Sequence, residues 1–479
     1  MTSFTKPDGT LSSLGRWLEQ RTGVLSFFRS VIDESIPGGP RWAYVFGSGL
    51  LFLVATQFIT GVALALYYVP STNSAHTTVA YITKQVWSGS FIRSVHSYGS
   101  QMIVVVLFLH LAQTFLFGAF KGRREILWLS GVCLFLLMLG MAFTGYLLPW
   151  DQRAYFATAV GTNVMGEVPV VGVFLKRLLR GGDEMGTLTL SRFYVLHIIV
   201  IPFGIAAFIA LHLFLFRKAG PAGPPEPVPR LSARPFYPRQ FAMDAGFAGI
   251  LMLILIALAH FAPVPLGPEV DRSSAAYIPR PEWYFLPLFQ WLKYWAGSRA
   301  IIGIVVIPTI VFALFALVPF VDRGSERRPR RRLLSTSLFA CVIGSLCLLG
   351  FLSRRDDRSD RNVSGQLAWQ NEEERNYMRQ PFEPTFTDVL ASAKEPPSPL
   401  LLAGQGIFHT SQCVFCHGEG GVGTKAAPRL AGLASKLSVE QLSALIRHPN
   451  PKMKAGGMPA FAGSDEDLHT LIAYLQSLQ

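Results

Sequence analysis

Long apolar runs recur along the chain and are separated by short polar segments. Each run approaches the roughly 20 residues that an α-helix needs to cross the hydrocarbon core of a bilayer. The pattern predicts an all-α fold, a seven-span transmembrane helical bundle followed by a small α-helical domain. The predicted crossings cover residues 43–67, 94–116, 127–148, 194–216, 242–262, 299–321 and 333–352.

The segments outside the apolar runs divide the rest of the chain. Residues 1–42 form an N-terminal arm in which Leu11 to Val31 mix Leu, Trp and Phe with Arg and Glu. This mixture predicts an amphipathic helix lying on the membrane, with a mobile polar arm as the alternative. No apolar run precedes a small-residue cleavage site, so the first span is expected to act as the insertion signal. The predicted domains are residues 1–42, 43–218, 219–353, 354–400 and 401–479, of which 354–400 is a linker or a partly ordered strap.

The net charge of +13 is distributed unevenly. Three loops that lie on the same side of the predicted bundle carry the basic clusters, so the positive-inside rule makes that side cytoplasmic. The N-terminus then lies in the cytoplasm and the C-terminal domain lies outside, which is the periplasm for a bacterial inner membrane. A basic loop could also bind nucleic acid, but short loops beside spans favour topology, and no nucleic acid is expected. The basic residues are Lys121, Arg123, Arg124, Arg217, Lys218, Arg230, Arg234, Arg239, Arg323, Arg327, Arg328 and Arg330 to Arg332.

Two of the predicted spans each carry two histidines. His96 and His110 are fourteen residues apart, and His197 and His212 are fifteen apart. At 1.5 Å per residue, fourteen residues cover about 21 Å and about four turns, so both rings point to nearly one side. If the two helices pack together, the imidazoles form two stacked pairs, each able to hold one flat cofactor from both faces. Imidazole suits iron, and a site with two histidine ligands favours electron transfer, so we predict two non-covalent haem b groups.

Four glycines repeat the histidine spacing on the neighbouring spans. Gly47 and Gly61 lie on the first span, and Gly131 and Gly145 lie on the third. Because glycine has no side chain, another group can approach the backbone closely. We interpret the glycines as positions where the haem edges approach, although ordinary small-residue helix packing is the alternative.

The C-terminal domain contains Cys413-Val414-Phe415-Cys416-His417. This spacing is typical of covalent haem c attachment, with thioethers from Cys413 and Cys416 and an axial ligand from His417. A bare Cys-x-x-Cys could indicate redox or zinc chemistry, but the adjacent histidine favours haem. In bacteria this attachment takes place outside the cytoplasm, which agrees with the distribution of charge.

The sixth ligand of this haem is expected later in the same domain. Met458 stands in a Gly-Gly-Met-Pro sequence before a final amphipathic helix, and a methionine ligand raises the reduction potential. Met453 and His448 are the alternatives. The remaining cysteines lie in spans and are interpreted as apolar packing residues without a disulfide; they are Cys133, Cys341 and Cys347.

Several short stretches carry a family resemblance. They are Arg93 to His96, Gly145 to Gln152, Arg192 to His197 and Pro281 to Tyr284. With them, residues ~30–352 resemble cytochrome b of the quinol-oxidising bc and bf complexes, and a mono-haem cytochrome c domain follows. The longer spacing from His197 to His212 and the apparent absence of an eighth span are more similar to the bf form. In bf complexes this material is split between two polypeptides, so Gly220 to Arg239 would be a fused junction.

The resemblance implies roles for individual residues. His96 and His197 would hold the outer haem, His110 and His212 the haem nearer the cytoplasm, and Arg93 would meet a propionate. Pro281, Glu282, Trp283 and Tyr284 match the motif of the outer quinol-oxidation pocket, with Pro149 and Trp150 beside it. There Glu282 would take a proton from quinol, since a carboxylate can accept and release one. The bf proteins attach an additional haem through a cysteine near the start of the first span, but Val45 stands at that position here.

The resemblance also implies the activity and the partners. The chain would be a subunit of a proton-translocating quinol:cytochrome c oxidoreductase. Expected partners are a separate Rieske iron–sulfur protein, other bc-complex subunits, quinone, membrane lipid, a cytochrome c or similar acceptor, and a second copy of the complex. The alternative is a di-haem cytochrome b anchor that passes electrons between a dehydrogenase and the quinone pool. Such an anchor would not need Pro281 to Tyr284.

Overall fold

A computed structural model describes residues 13–226, 233–272, 277–295, 297–383, 398–424, 427–432 and 434–478. Its contacts divide the chain into two compact units, Met1–Val389 and Leu390–Gln479. Both units are built almost entirely from α-helices.

The first unit contains sixteen helices in its described part. They are α1 Ser13–Thr22, α2 Val24–Ile32, α3 Val45–Ala65, α4 Ala75–Lys84, α5 Gly89–Leu116, α6 Glu125–Tyr146, α7 Gln152–Gly166, α8 Gly172–Arg180, α9 Thr187–Val195, α10 Ile201–Ala219, α11 Arg239–Phe261, α12 Leu286–Leu292, α13 Ile307–Ala316, α14 Val318–Val321, α15 Leu333–Ser359 and α16 Arg361–Arg379. Two π-helical turns, Leu196–Val200 and Ile302–Val306, join α9 to α10 and precede α13. Single 3-10 turns cover Trp42–Tyr44, Gly297–Arg299 and Pro329–Arg331.

Six helical segments of the described chain are long and apolar enough to cross a membrane. They are Trp42–Ala65, Gly89–Leu116, Glu125–Tyr146, Thr187–Ala219, Arg239–Phe261 and Leu333–Ser359. Many of their large apolar side chains are exposed, as is expected for surfaces that face lipid. The prediction of a transmembrane helical bundle is therefore confirmed.

The predicted crossing over residues 299–321 differs from the other six. It is not one uninterrupted helix, because it is divided into the π turn, α13 and the short α14, and only Ile302–Ala316 forms a continuous apolar helical stretch. Pro308 and Pro319 lie in the first turns of α13 and α14. Proline has no N–H to donate and therefore interrupts the hydrogen bonds of a longer helix.

The histidine-bearing helices each pack along a glycine-bearing helix. The most extensive helix contacts of the first unit join α3 to α5 and α6 to α10, and α11 packs against α3 and α5. Side chains from α3, α5 and α11 form a buried apolar cluster of Leu53, Ile103, Val106, Leu251 and Leu255. This packing places the four helices that carry the predicted ligands and glycines side by side.

The predicted surface helix from Leu11 to Val31 is interrupted. The described part forms α1 and α2, which are separated by Gly23 in the left-handed conformation, φ +63°, while Leu11 lies outside the described residues. After α2, the strand Ser35–Ile36 pairs antiparallel with Arg234–Pro235 just before α11. This pair ties the N-terminal segment to the end of the predicted junction, and an ion pair between Glu34 and Arg217 ties it to the end of α10. Arg230, one of the predicted cytoplasmic basic residues, lies outside the described part.

The segment after the last crossing is largely helical up to Gln380. Within the residues predicted as a linker or strap, α15 ends at Ser359 and α16 follows directly, whereas residues 384–397 lie outside the description. The end of α16 packs on α4, since Lys84 Nζ donates to the carbonyl oxygen of Tyr377 at 2.7 Å. Tyr377 and Met378 also cover a buried cluster of Val79, Ala80 and Leu266. Much of the predicted linker is thus a strap on the bundle.

The second unit contains α17 Pro399–Thr410, α18 Cys413–His417, α19 Val439–Arg447, α20 Pro451–Ala455 and α21 Asp465–Ser477. Its core is the contact of α17 with α21, around Phe408, Leu471 and Ile472. The two helices approach closely at Gly404, where a Cβ would lie 2.5 Å from the carbonyl oxygen of Thr470. Serine side chains cap α17, α19 and α21 at their N-termini.

Candidate functional site

One predicted imidazole pair is brought together at the spacing of a shared metal. The ring centroids of His96 and His197 are 6.3 Å apart. Two metal–nitrogen bonds of about 2 Å, together with the two ring radii, span a distance of this order. The residues therefore fit an iron held between the two rings. His110 and His212 lie at the second level of the same helices, where they face Gly47 and Gly131.

Each of the four predicted glycines faces one of the four histidines. A Cβ on Gly47, Gly61, Gly131 or Gly145 would lie 3.7, 3.2, 3.3 or 2.5 Å from Cε1 of His110, His96, His212 or His197, in that order. Because the Cβ on Gly145 would lie less than 3 Å from the ring of His197, that ring would have to move. The glycines therefore give the imidazoles room at both levels, and the approach of haem edges to them stays a prediction.

Hydroxyl groups fix the orientation of three of these rings. The Nδ1 atom lies 2.9 Å from Thr60 Oγ1 in His96, 2.9 Å from Ser130 Oγ in His212 and 3.2 Å from Thr144 Oγ1 in His197. Each hydroxyl donates its own proton to a carbonyl oxygen of its helix, on Thr56, Leu127 and Gly140 respectively. The hydroxyl oxygen can then only accept from a protonated Nδ1. Nε2 is thereby left unprotonated, which is the state that binds a metal.

These hydroxyl residues were not identified from the sequence. Thr60, Ser130 and Thr144 each directly precede one of the glycines, so the pattern was available as a Ser/Thr-Gly dipeptide on the flanking spans. Its meaning depends on how the helices face each other. The backbone carbonyl of Met141 also lies 3.1 Å from His197 Nδ1 and provides a second acceptor there.

A π-helical turn accounts for the extra residue between His197 and His212. One additional residue would rotate His212 by about 100° around a regular α-helix. Leu196–Val200 absorbs that residue, since the N–H of Ile201 donates to the carbonyl oxygen of Leu196, five positions earlier. Pro202 follows at the start of α10 and has no N–H for a regular helix bond. The turn thus keeps both rings on the face that meets α5.

Arg93 is buried beside the outer pair. Its Nη2 donates to the carbonyl oxygen of Val264, and Val264 in turn donates its N–H to Ser94 Oγ at 2.9 Å. Among the described residues, Arg93 Nε has no hydrogen-bond partner. A buried guanidinium nitrogen without a partner suits a carboxylate, so the residue fits its predicted contact with a haem propionate.

The four residues of the quinol-pocket motif lie together in the loop before α12. Burial raises the pKa of the Glu282 carboxyl, and the positive charge of Arg153 opposes that rise. Burial and the Glu282 charge also raise the pKa of Tyr284, which therefore stays protonated. Trp283 is more exposed and donates from Nε1 to Gln101 Oε1 at 3.2 Å, and Pro281 is half-buried. Glu282 is the group of this loop best suited to accept and release a proton.

A second loop holds Arg153 beside this pocket. Asp151 caps α7 by accepting from Ala154 N at 2.8 Å, and it also accepts from Gly267 N at 3.2 Å. Trp150 just before it is 1% exposed and adopts a left-handed φ of +52°. These contacts fix the start of α7 and hence the position of Arg153. Asp151 and Arg153 were not among the residues predicted to act at the pocket.

The Cys-x-x-Cys-His sequence forms the single helical turn α18 in the second unit. His417 Nδ1 lies 2.9 Å from the carbonyl oxygen of Pro428, to which it donates, so Nε2 is left for a metal. Cys413 is partly buried and Cys416 is exposed. Met458 follows α20 and donates its N–H to the carbonyl oxygen of Met453 at 3.0 Å. The ligand role of Met458 stays a prediction.

These arrangements define a class of protein. The described residues contain no group of three or more His, Cys, Asp or Glu that could hold a bare metal ion. They do contain paired imidazoles in a membrane bundle and a Cys-x-x-Cys-His turn, which are the ligand sets of haem. The chain is a membrane cytochrome with an attached c-type domain.

Comparisons with known proteins identify the family. Residues 31–220 match the family "Cytochrome b/b6/petB", residues 271–369 match "Cytochrome b(C-terminal)/b6/petD" and residues 399–475 match "Cytochrome C oxidase, cbb3-type, subunit III". The cytochrome bc complex cytochrome b subunit of Chlorobaculum thiosulfatiphilum is 35% identical over 333 residues, 67% of this chain and 77% of that protein. The chain therefore belongs to the cytochrome b family of bc complexes, and its domains imply haem b and haem c.

Other relatives agree with this assignment. The menaquinol:cytochrome c reductase cytochrome b subunit of Geobacillus thermodenitrificans is 35% identical over 222 residues, 45% of this chain and 99% of that protein. Cytochrome b/c1 of Bradyrhizobium diazoefficiens is 29% identical over 365 residues, 74% of this chain and 52% of that protein. A solved structure titled "Hyperthermophilic respiratory Complex III" shares the fold, with a TM-score of 0.64, 23% identity and coverage of 75% of this chain and 95% of that chain.

Proposed function

We propose that this chain is the cytochrome b and c subunit of a respiratory or photosynthetic quinol:cytochrome c oxidoreductase that translocates protons. The observation that carries the proposal is the His96–His197 pair, with centroids 6.3 Å apart and hydroxyl partners that leave Nε2 free. The motif around Glu282 and the family to which the chain belongs support quinol as the substrate class.

The proposed ligand assignments are supported by the paired imidazoles and by the Cys-x-x-Cys-His turn. His96 and His197 would hold one haem b, and His110 and His212 would hold a second. Cys413, Cys416, His417 and Met458 would hold haem c. Bound haem would supply one-electron transfer between the quinol pocket and the opposite side of the membrane, and from the pocket to an external acceptor.

The residues of the pocket handle the proton chemistry. Quinol that binds near Tyr284 would lose a proton to the Glu282 carboxylate, whose raised pKa makes it a better base than an exposed glutamate. Arg153 and the capped start of α7 stabilise the charged form of that carboxyl after the proton leaves.

The proposed partners include a Rieske iron–sulfur protein. The chain has five cysteines, of which two form the haem c motif and three lie in spans, so the iron–sulfur cluster would reside on a separate polypeptide. The complex would contain further bc-complex subunits, assemble as a homodimer in lipid and reduce a cytochrome c or similar acceptor. The complex would lie in a bacterial inner membrane, where the basic loops favour an N-terminus in the cytoplasm and a c-type domain in the periplasm.

Steady-state kinetics of the purified complex test this function. We expect quinol-dependent reduction of cytochrome c that is blocked by inhibitors of the outer pocket, together with b-type and c-type optical bands. A redox titration would then resolve two b haems and one c haem. A complex with its haems intact that does not oxidise quinol, or that ignores those inhibitors, would instead support a dehydrogenase anchor.

A further inference from the structure

A second buried carboxylate lies next to the quinol pocket, on the strap helix α16. Glu374 is 8% exposed, and both of its carboxylate oxygens lie 2.9 Å from Arg153 Nη2. Asn371, one turn earlier on α16, accepts a longer hydrogen bond from the same nitrogen at 3.4 Å. Arg153 therefore joins α16 to the start of α7.

Arg153 contacts the carboxylate of Glu374 directly, and its positive charge also acts on Glu282 from further away. Its charge lowers the pKa of Glu282 and that of Glu374, and in both cases burial has the opposite and larger effect. Tyr277 completes the cluster, because it hydrogen-bonds Arg153 and its ring stacks on Phe156 with centroids 4.9 Å apart. One guanidinium can compensate one carboxylate, so a proton on either glutamate lowers the energy of the cluster.

Neighbours of Glu374 on α16 line a cleft that is open to solvent. A cleft of about 300 Å³ lies along α16 and is lined by Glu372, Glu373, Asn376 and Tyr377, among others. Glu373 directly precedes Glu374, and burial raises its pKa as well. Burial also raises the pKa of Tyr377 to about 12, which keeps its hydroxyl protonated at physiological pH. The cleft offers water and carboxylates to a proton that leaves Glu374.

We propose that Glu374 relays the quinol proton from the buried pocket to the outside. The proton leaves the Glu282 carboxyl, which becomes a carboxylate, and binds the Glu374 carboxylate, which becomes a carboxylic acid. Glu374 then passes it to the neighbouring Glu373 carboxylate, which lines the cleft and releases it to water as hydronium, and no electrons move in any step. Asp151 faces the same cluster and its charge favours the protonated form of Glu374. The inference rests on the proposed quinol oxidation at Glu282.

The competing explanation is that Glu374 only holds α16 in place. An ion pair with one partner half-exposed contributes modestly to stability. The Lys84 and Tyr377 contacts also fasten the helix independently of Glu374. A purely structural role would leave the rate unaffected by small acids that reach the cleft.

Substitution with chemical rescue separates the two roles. In the full complex, E374Q keeps the size of the side chain and an oxygen for Arg153 but cannot carry a proton. We expect the rate of quinol-dependent cytochrome c reduction to fall by about tenfold or more, and added formate to restore a large part of it. E374D should retain most of the rate, and E383Q, which removes an exposed carboxylate just after α16, should match the wild type.

Each outcome has a definite meaning. If E374Q oxidises quinol at the wild-type rate, or is slow with full b-type absorbance and no response to formate, the relay is wrong. If E374Q loses b-type absorbance, the E374D variant distinguishes the two roles. A proton relay predicts that E374D retains its rate but has an altered pH–rate profile. A purely structural role predicts slow turnover with an unchanged pH–rate profile. A wild-type complex that does not oxidise quinol would instead overturn the proposed function itself.

Discussion

At the scale of single residues, the site depends on small side chains as much as on ligands. The four histidines could be found from spacing alone, but the hydroxyls that orient them could not. Thr60, Ser130 and Thr144 are unremarkable in the sequence, since Ser and Thr commonly bond their own helix backbone. Only the facing helix makes them acceptors for imidazole.

Gly145 gives a direct test of the glycine contacts. In G145A the added Cβ would lie 2.5 Å from His197 Cε1, so we expect loss of the outer haem b and about half of the b-type absorbance per c-type haem. G140A is the matched control on the same helix, because its Cβ would meet Ile201 at an ordinary 3.7 Å. Equal b-type content in the two variants would contradict this role for Gly145.

The charge of Arg153 gives a prediction for pH dependence. Arg153 lowers the pKa of Glu282 and of Glu374, so both pKa values rise when it is replaced by glutamine. Each glutamate accepts a proton only when it is ionised, and the acidic limb of the pH–rate profile of R153Q should therefore move to higher pH. R177Q, which removes an exposed arginine of α8, should keep the wild-type limb. A shift of the R153Q limb to lower pH would be inconsistent with this electrostatic assignment.

At the scale of elements, a π-helical turn and a polar strap helix place site residues where a regular pattern of crossings would not. The π turn Leu196–Val200 corrects the phase between His197 and His212. The strap α16 continues directly from the last crossing and brings Glu374 to Arg153. Sequence periodicity does not predict either feature, because a π turn has no distinct composition and a polar helix resembles a linker until its partner surface is known.

Two single-residue deletions in the fourth crossing test the π turn. Deletion of Ile199 should convert the π turn into regular helix with the histidines fourteen residues apart, as in α5, and both b haems should be retained. Deletion of Ala207 keeps the π turn and rotates His212 by about 100°, so one b haem should be lost. Haem content measured from the pyridine haemochrome spectrum distinguishes them. The same haem loss in both deletions would show that the turn does not set the phase.

At the scale of the whole molecule, the chain combines a membrane unit with a c-type unit. The charge of the loops and the site of haem c attachment both favour a periplasmic position for the second unit. The chain thus carries on one polypeptide the functions that would otherwise require separate cytochrome b and c subunits.

Protease accessibility tests this orientation. A protease added to intact spheroplasts should release the c-type domain, whereas the same protease added to inverted vesicles should leave it attached. An epitope in the basic loop between α5 and α6 should show the opposite pattern and serves as the control. Release of the domain only from inverted vesicles would reverse the proposed topology.

The sequence by itself determined the membrane class, the positions of six crossings and the identity of the candidate ligands. Apolar length, the paired histidines and Cys413 to His417 are local properties of the chain, so they can be seen without a fold. The tertiary structure decided which hydroxyl meets which histidine, how the extra residue before His212 is absorbed, and that Glu374 reaches Arg153. Most of these relations join residues on different helices, such as Thr144 with His197 and Arg153 with Glu374. They depend on which helix faces pack together, which periodicity does not encode.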